Sequence, residues 1–230
     1  MTDFANPALG FDCSFDPLLE AEAQCLEALG ALVYWQCGWT GVEQPAARAD
    51  NLRMADRFGY LLALYISLPD NCTDGIYHML KGLAGIPGDL LAKLQLVVVD
   101  IERPGIRSVA IRDAVNMLRS AGYKTAIYTS LNSWTNHVVF DNVHHARSFT
   151  DVPLMNAFWD NNPDIDFASH PFGGWTLAQL IGEQYTGDTP TCGQNLDYAI
   201  WNMDLFPGGI VPMPEPTLVL TEAQIDGAVV

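Results

Sequence analysis

Short apolar runs alternate with amphipathic stretches through most of the chain. Each run is apolar and bounded by turn residues, which predicts a strand. In the stretches between the runs, apolar residues recur at helical spacing. The strands predicted in the first part of the chain span residues 9–13, 31–37, 61–67, 96–102 and 124–129. The predicted helices span 17–29, 46–58 and 108–121, with helical pieces inside 75–94. This alternation indicates a parallel sheet.

The last third of the chain predicts strands without long helices. Three further runs, at 156–160, 180–185 and 196–201, are joined by loops rich in Pro, Gly, Asn and Asp. Eight strands favour closure into a barrel. We therefore predict an α/β fold, an irregular TIM-like β/α barrel with complete βα units first and near-bare strands in the last third. The barrel is expected to span residues 1–206, followed by a Pro/Gly-rich C-terminal tail at 207–230.

The strand predicted at 96–102 ends in two acids, Asp100 and Glu102. Side chains two residues apart lie on the same face of a strand, with Cα atoms about 6.5–7 Å apart. A buried charge is costly unless it is paired or used. The segment therefore fits a catalytic carboxylate pair or a salt-bridged strand end, and taken alone it favours neither.

Two more acids fall on the predicted strands, Asp12 near the end of the first and Asp197 in the last. In a β/α barrel the C-terminal strand ends share the face that carries the active site. Four acids at one mouth would raise the pKa of at least one of them. A protonated acid beside an ionised one is the arrangement that cleaves glycosidic bonds. Taken singly, Asp12 and Asp197 are more often turn or cap residues.

Aromatic residues support the interpretation as a sugar site. Tyr65, Tyr128, Trp159 and Tyr185 all fall at or near predicted strand ends. Their flat faces are suited to packing against sugar rings, although each taken alone is more often a core residue.

The charge of the chain argues against two classes of binding partner. The net charge is −16 and the pI about 4.3, which argues against binding to nucleic acid or to an anionic membrane.

No apolar run approaches 18 residues, so no transmembrane helix is expected. The N-terminus lacks the features of a secretory signal, so synthesis in a cytoplasm is expected. Most of the five cysteines lie in apolar surroundings, and we expect core residues with reduced thiols.

Several motifs together resemble those of the lysozymes of glycoside hydrolase family 25, the Chalaropsis type, and of related barrels from actinobacteria and their phages. The resemblance spans roughly residues 8–206, and the segment from Trp35 to Gly41 departs from it. The motifs that carry the resemblance are Gly10-Phe-Asp12-Cys-Ser, Val97-Val-Val-Asp100-Ile-Glu102, Gly122-Tyr-Lys-Thr-Ala-Ile-Tyr128-Thr-Ser, Ala157-Phe-Trp159, Gln184-Tyr185-Thr and Cys192-Gly193-Gln-Asn-Leu-Asp197-Tyr-Ala-Ile-Trp201-Asn.

The resemblance implies hydrolysis of the β-1,4 bond between N-acetylmuramic acid and N-acetylglucosamine in peptidoglycan. By position, Glu102 matches the general acid of the family. Asp100 matches the second carboxylate, which either attacks the sugar or orients its acetamido group. Asp12 and Asp197 match the flanking acids that tune the site. The residues expected to bind substrate are Tyr65, Tyr128, Trp159, Gln184 and Tyr185. No metal or organic cofactor is implied.

We therefore predict an endo-acting muramidase, either a phage lysin or a virion-associated wall hydrolase. Such a protein would be made in the host cytoplasm and would act on the wall after lysis or from a particle. The alternative is a non-catalytic carbohydrate-binding or structural virion protein on the same barrel, with virion or tail proteins bound through residues 207–230. A glycosidase for a different wall polysaccharide is a third possibility.

Overall fold

Eight strands close into a barrel in the computed structural model, which describes residues 4–165 and 167–206. The strands are β1 (Pro7–Asp12), β2 (Ala31–Trp39), β3 (Leu61–Ser67), β4 (Leu94–Asp100), β5 (Ile106–Arg107), β6 (Thr125–Thr129), β7 (Val138–Val139), β8 (Leu154–Ala157), β9 (Leu180–Thr191) and β10 (Gln194–Asn202). The barrel order is β1-β10-β9-β8-β6-β4-β3-β2, and β5 pairs separately with β7. The predicted irregular barrel is confirmed.

Helices cover the outside of the first two-thirds of the barrel. They are α1 (Glu20–Ala28), α2 (Arg48–Arg57), α3 (Gly75–Leu83), α4 (Gly88–Leu91), α5 (Ser108–Ser120) and α6 (Leu131–Asn136). After α6, the described residues contain only short 3₁₀ turns between strands. The near-bare strands predicted for the last third are therefore confirmed. No helix in the described ranges is long and apolar enough to cross a membrane.

Strand alternation divides the apolar residues into an interior layer and an outer layer. Val33 and Trp35 of β2, Val98 of β4 and Trp201 of β10 belong to the interior cluster. Their neighbours Tyr34, Val97 and Val99 pack in the outer cluster with the helices. Because both faces are covered, the strands have the nearly continuous apolar sequences that the sequence pattern predicted.

Gly10 leaves room for the large side chain that fills the base of the barrel. A Cβ atom at Gly10 would lie 2.2 Å from Nε1 of Trp201 and 3.2 Å from Cβ of Val33. Trp201 is fully buried and packs edge-on against Trp35 and Phe206. The lower barrel is therefore a packed core, which leaves the opposite end for a cavity.

The last strand does not follow the predicted parallel pattern. β10 is antiparallel to both β9 and β1. The turn between β9 and β10 contains Cys192 and Gly193, both with positive φ (54° and 91°). Two such residues form the tight turn that joins antiparallel strands. The hairpin places Asp197 opposite Asp12 in the β1–β10 ladder.

One predicted strand end differs from the structure, and one predicted domain boundary is not tested by it. β4 ends at Asp100, so Glu102 follows the strand instead of lying within it. The backbone N–H of Ile101 still donates to the carbonyl of Tyr128 at 2.9 Å, so one hydrogen bond to β6 continues past the end of β4. The barrel strands end at Asn202. The predicted tail at 207–230 lies outside the described residues, and its separation from the barrel at residue 206 stays a prediction.

The expectation that the cysteines are reduced core residues is wrong for two of the five. Cys25 of α1 and Cys192 of the β9–β10 turn form a disulfide across 167 residues of sequence. Cys13, Cys37 and Cys72 are buried free thiols, as predicted. No cysteine spacing indicated the bridge, because its two ends meet only when the barrel closes.

Candidate active site

A cavity of about 210 Å³ lies at the mouth of the barrel, where the parallel strands end. All four predicted acids line it. The lining residues are Asp12, Ser14, Phe15, Trp35, Cys37, Thr40, Tyr65, Ser67, Asp100, Glu102, Arg103, Tyr128, Trp159, Gln184 and Asp197.

The strands bring three of the acids to the cavity by different routes. Asp12 and Asp100 are the last residues of parallel strands β1 and β4. Asp197 arrives from the early part of β10, because that strand runs in the opposite direction. The sequence prediction that all four acids meet at one mouth therefore agrees with the structure, although the parallel arrangement assumed for the last strand was wrong.

Asp12 is the acid with the clearest electrostatic perturbation. Its side chain is 3% exposed. Burial, reinforced by the negative charge of Asp197, raises its pKa from 3.8 to about 8. The backbone N–H of Ser14 donates to its Oδ1 atom and partly opposes this rise. Asp12 therefore holds a proton at neutral pH in the folded protein.

Asp100 is also buried, at 5% exposure. The hydroxyl of Ser67, its neighbour across the β3–β4 ladder, donates to Oδ2. Oδ1 is buried with no hydrogen-bond partner among the described residues. Burial, followed by the charge of Glu102, raises the pKa of Asp100 well above its ordinary value.

Glu102 is the more accessible member of the pair and is exposed to solvent. Surrounding protein nonetheless raises its pKa, and the charge of Asp197 adds to the rise. Arg103 has the opposite effect on this pKa, as do the Tyr128 hydroxyl and His137. Because Glu102 combines access to solvent with a raised pKa, it is suited to deliver a proton to a bound ligand.

The salt-bridged strand end is the alternative that the sequence left open. Within residues 4–165 and 167–206, no ion pair joins Asp100 or Glu102 to a basic side chain. The structure therefore favours a functional pair at this strand end.

A hydrogen-bonded chain connects three other predicted residues. The hydroxyl of Tyr128 donates to Oε1 of Gln184. Nε2 of Gln184 donates to Oδ2 of Asp197 at 3.0 Å, and the backbone N–H of Asp188 donates to Oδ1 at 2.9 Å. These contacts fix the orientation of Asp197, whose pKa is raised mainly by burial.

Aromatic side chains form the floor and the rim of the cavity. Trp35 packs against Tyr65 and Tyr128, with ring centroids 5.4 and 5.7 Å apart. On the rim, Trp159 is 61% exposed and Phe15 is 57% exposed. Exposed aromatic faces beside acids are typical of sites that hold sugar rings.

Tyr185 is the one predicted site residue outside the cavity lining. Because Gln184 faces the barrel interior, its neighbour faces outward. The ring of Tyr185 stacks on Tyr198 with centroids 6.5 Å apart and packs against the outer core. The structure therefore does not place Tyr185 with the other predicted substrate-binding residues.

Sequence reasoning missed several lining residues, chiefly Trp35, Ser67 and Arg103. A signal existed for two of them. Trp35 alternates with the interior residue Val33, and Ser67 ends β3 in register with Asp100.

No cluster of three potential metal-ligating His, Cys, Asp or Glu residues occurs in the described part of the chain.

Comparison with known proteins supports the resemblance found in the motifs. No family model matches the chain. A curated protein, probable GH family 25 lysozyme 3 of Dictyostelium discoideum, is 31% identical over 98 residues. That match covers 43% of this chain, and the chain spans only about a fifth (18%) of that relative's length.

Solved structures cover almost the whole barrel. A family GH25 lysozyme from Aspergillus fumigatus superposes with a TM-score of 0.64 at 19% identity, over 89% of this chain and 96% of that one. The catalytic domain of endolysin ply40 from bacteriophage P40 of Listeria monocytogenes gives 0.62 at 14% identity, over 87% and 95%. The predicted resemblance to glycoside hydrolase family 25 is confirmed, and the chain has the fold of its lysozymes.

Proposed function

We propose that this chain is a peptidoglycan muramidase, an endo-acting glycosidase that hydrolyses the β-1,4 bond between N-acetylmuramic acid and N-acetylglucosamine. The observation that carries the proposal is the meeting of Asp12, Asp100, Glu102 and Asp197 in one cavity without ion-pair partners among the described residues. Two carboxyl groups flanking the scissile bond are what glycoside hydrolysis requires. The fold shared with GH25 lysozymes supports the choice of substrate.

Glu102 acts as the general acid. Its carboxyl group donates its proton to the glycosidic oxygen as the bond to the anomeric carbon breaks. Water supplies the hydroxyl that ends on the anomeric carbon, and its remaining proton restores Glu102. A pKa raised by the surrounding protein keeps the donor protonated at higher pH than a free glutamic acid would be.

Asp100 assists in one of two ways, as a nucleophile or by orienting the acetamido group of the sugar. Its raised pKa bears on the choice, because a protonated carboxyl group does not attack. Attack would require Asp100 first to lose its proton to water, and the positive charge that develops on the bound sugar would favour that loss by lowering the pKa of Asp100. The orienting role has no such requirement.

The aromatic and amide residues hold the glycan. Trp159 on the rim offers an exposed face to a sugar ring, and Tyr65 and Tyr128 lie below it in the cavity. Gln184 is held between Tyr128 and Asp197 and is positioned for polar contact with the same ligand.

The test is the release of reducing ends from purified cell walls. Glu102→Gln is expected to lower the rate by about 10²–10⁴-fold, the usual contribution of a general acid. Glu27→Gln, an exposed acid on α1, is the matched control and is expected to retain the wild-type rate. Equal rates for Glu102→Gln and wild type, with both proteins folded by circular dichroism, would remove Glu102 from its role.

Product analysis tests the bond that is cut. A muramidase leaves muramic acid at the new reducing end, so borohydride reduction followed by mass spectrometry should find muramitol. Glucosaminitol in its place would identify a glucosaminidase and refute the proposed specificity.

The biological setting is a proposal of the same kind. The similarity to a phage endolysin catalytic domain supports a lysin or a virion component that reaches the wall after lysis or from a particle. Proteomic analysis of purified particles beside the cleared lysate tests it, because a virion component stays with the particles. The proposed contact of residues 207–230 with virion proteins would then be examined by deleting that segment.

A further inference from the structure

The cavity contains one strongly basic side chain. Among its described lining residues, Arg103 alone carries a guanidinium or ammonium group, beside four carboxyl groups. An arginine so close to acids ordinarily forms a bidentate pair with one of them. No ion pair and no side-chain hydrogen bond joins Arg103 to any other residue in the described ranges. Its donors therefore face the mouth without an acceptor among the described residues.

The backbone around Arg103 is fixed on both sides. The carbonyl of Glu102 lies 2.6 Å from Nδ1 of His137. The carbonyl of Pro104 accepts from the N–H of Asn71 at 2.8 Å, and the N–H of Gly105 donates to the carbonyl of His137 at 2.8 Å. The guanidinium thus extends from an anchored segment, which lowers the entropy lost when it binds a ligand.

The charge of the whole protein makes this cation more significant. At a net charge of −16, the protein as a whole repels an anionic ligand. A neutral polymer of β-1,4-linked N-acetylglucosamine would need no cation at the mouth. A wall glycan differs from that polymer by the lactyl arm on alternate sugars, which bears a free carboxylate or a peptide with carboxylates of its own.

We propose that Arg103 binds a carboxylate on the muramyl side arm and so selects wall glycan over neutral glycan at this site. The inference rests on the proposed muramidase function and deepens it. The shared chemistry is a carboxylate whose two oxygens accept parallel N–H donors from the planar guanidinium. Its two sources are the lactyl group itself and the stem peptide.

The experiment uses two glycans that differ at this carboxylate, which is free in one and a neutral amide in the other. Wall glycan stripped of peptides by an amidase carries free lactyl carboxylates, and carbodiimide coupling to methylamine converts them to neutral amides. KM and kcat are measured on both for wild type, Arg103→Gln and Arg103→Lys. Arg53→Gln, an exposed arginine on α2 paired with Asp50, is the control for loss of one positive charge.

Wild type is expected to show a KM about tenfold lower on the acidic glycan than on the amidated one, the effect of one charge-assisted hydrogen-bonded pair. Arg103→Gln should remove this difference by raising KM on the acidic glycan only, with kcat little changed. Arg103→Lys should keep part of it. If amidation raises the KM of wild type on intact walls but not on stripped glycan, the proposal is supported with the stem peptide as the source of the carboxylate.

Two outcomes would overturn the proposal. One is an equal KM for the acidic and amidated glycans, and for intact walls, in wild type. The other is a loss in Arg103→Gln that is the same on both glycans and accompanied by a shifted pH profile, which would make Arg103 only a modulator of the neighbouring carboxyl groups. If wild type cuts walls but does not discriminate, this inference alone fails. If it cuts neither walls nor glycan, the proposed function fails as well.

Discussion

Replacing Asp12 by asparagine should stabilise the protein at neutral pH. In the folded protein the pKa of Asp12 is raised from 3.8 to about 8, chiefly by burial. A carboxyl group whose pKa is higher in the folded state contributes stability below its unfolded pKa, and loses that contribution as pH rises toward the folded value. Asparagine has a similar shape and cannot ionise, so it escapes this loss.

The size of the effect follows from the two pKa values. Between pH 3.8 and pH 7, the unfolded chain gains about 1.4 kcal/mol for every pH unit by ionising Asp12, while the folded chain keeps the proton. At pH 7 this amounts to about 4 kcal/mol, and at pH 4 it is under about 1 kcal/mol. Against a typical total stability of about 5–15 kcal/mol, such a change is easily measured.

The assay is urea unfolding of wild type and Asp12→Asn at pH 4 and pH 7. The free energy of unfolding of the variant, relative to wild type, should rise by a few kcal/mol between the two pH values. Comparing the two pH values cancels the free energy of any contact that asparagine gains or loses at both. Asp113→Asn, an exposed acid on α5, should show no such rise. A constant difference between Asp12→Asn and wild type would refute the reasoning, because it would mean that Asp12 ionises normally in the fold.

Three further measurements test the electrostatics and the cross-link. The rate of wall cleavage should fall as pH rises through the raised pKa of Glu102, and Asp197→Asn should move this limb to lower pH, since the Asp197 charge raises that pKa. Raising ionic strength from about 10 to 150 mM should increase kcat/KM on anionic walls, because the Debye length shortens from about 30 to 8 Å and repulsion by the acidic protein weakens. Reducing the bond between Cys25 and Cys192 should lower the free energy of unfolding by up to about 5 kcal/mol in urea titrations, given the long loop it closes.

The sequence predicted the barrel well because its strands and helices have simple periodicities. β3 spans 61–67 in both the prediction and the structure, and α5 differs by one residue at its end. The end of β4 was less predictable. The apolar run stops at Val99, and neither the run nor the acids after it indicate where ladder pairing stops.

The features that sequence missed depend on contacts between distant segments. Cys25 and Cys192 meet only in the closed barrel, so their spacing carried no signal. Tyr185 was assigned to the site by motif, yet alternation from Gln184 turns it outward, and that alternation was available in the sequence. Arg103 was not among the predicted site residues, because nothing in a linear pattern shows that a residue after a strand lines a cavity.

The antiparallel β10 links the chemistry of the site to the stability of the fold. It places Asp197 directly opposite Asp12 in the β1–β10 ladder, and like charges in that relation repel and destabilise a sheet. The structure reduces this cost by giving Asp197 two donors, from Gln184 and Asp188, and by holding Asp12 protonated. The disulfide from α1 to the β9–β10 turn cross-links the same hairpin to the N-terminal part of the chain. Because the hairpin positions Asp197 and the Asp197 charge raises the pKa of Glu102, the conformation of the turn at Cys192 and Gly193 bears on the proton donor.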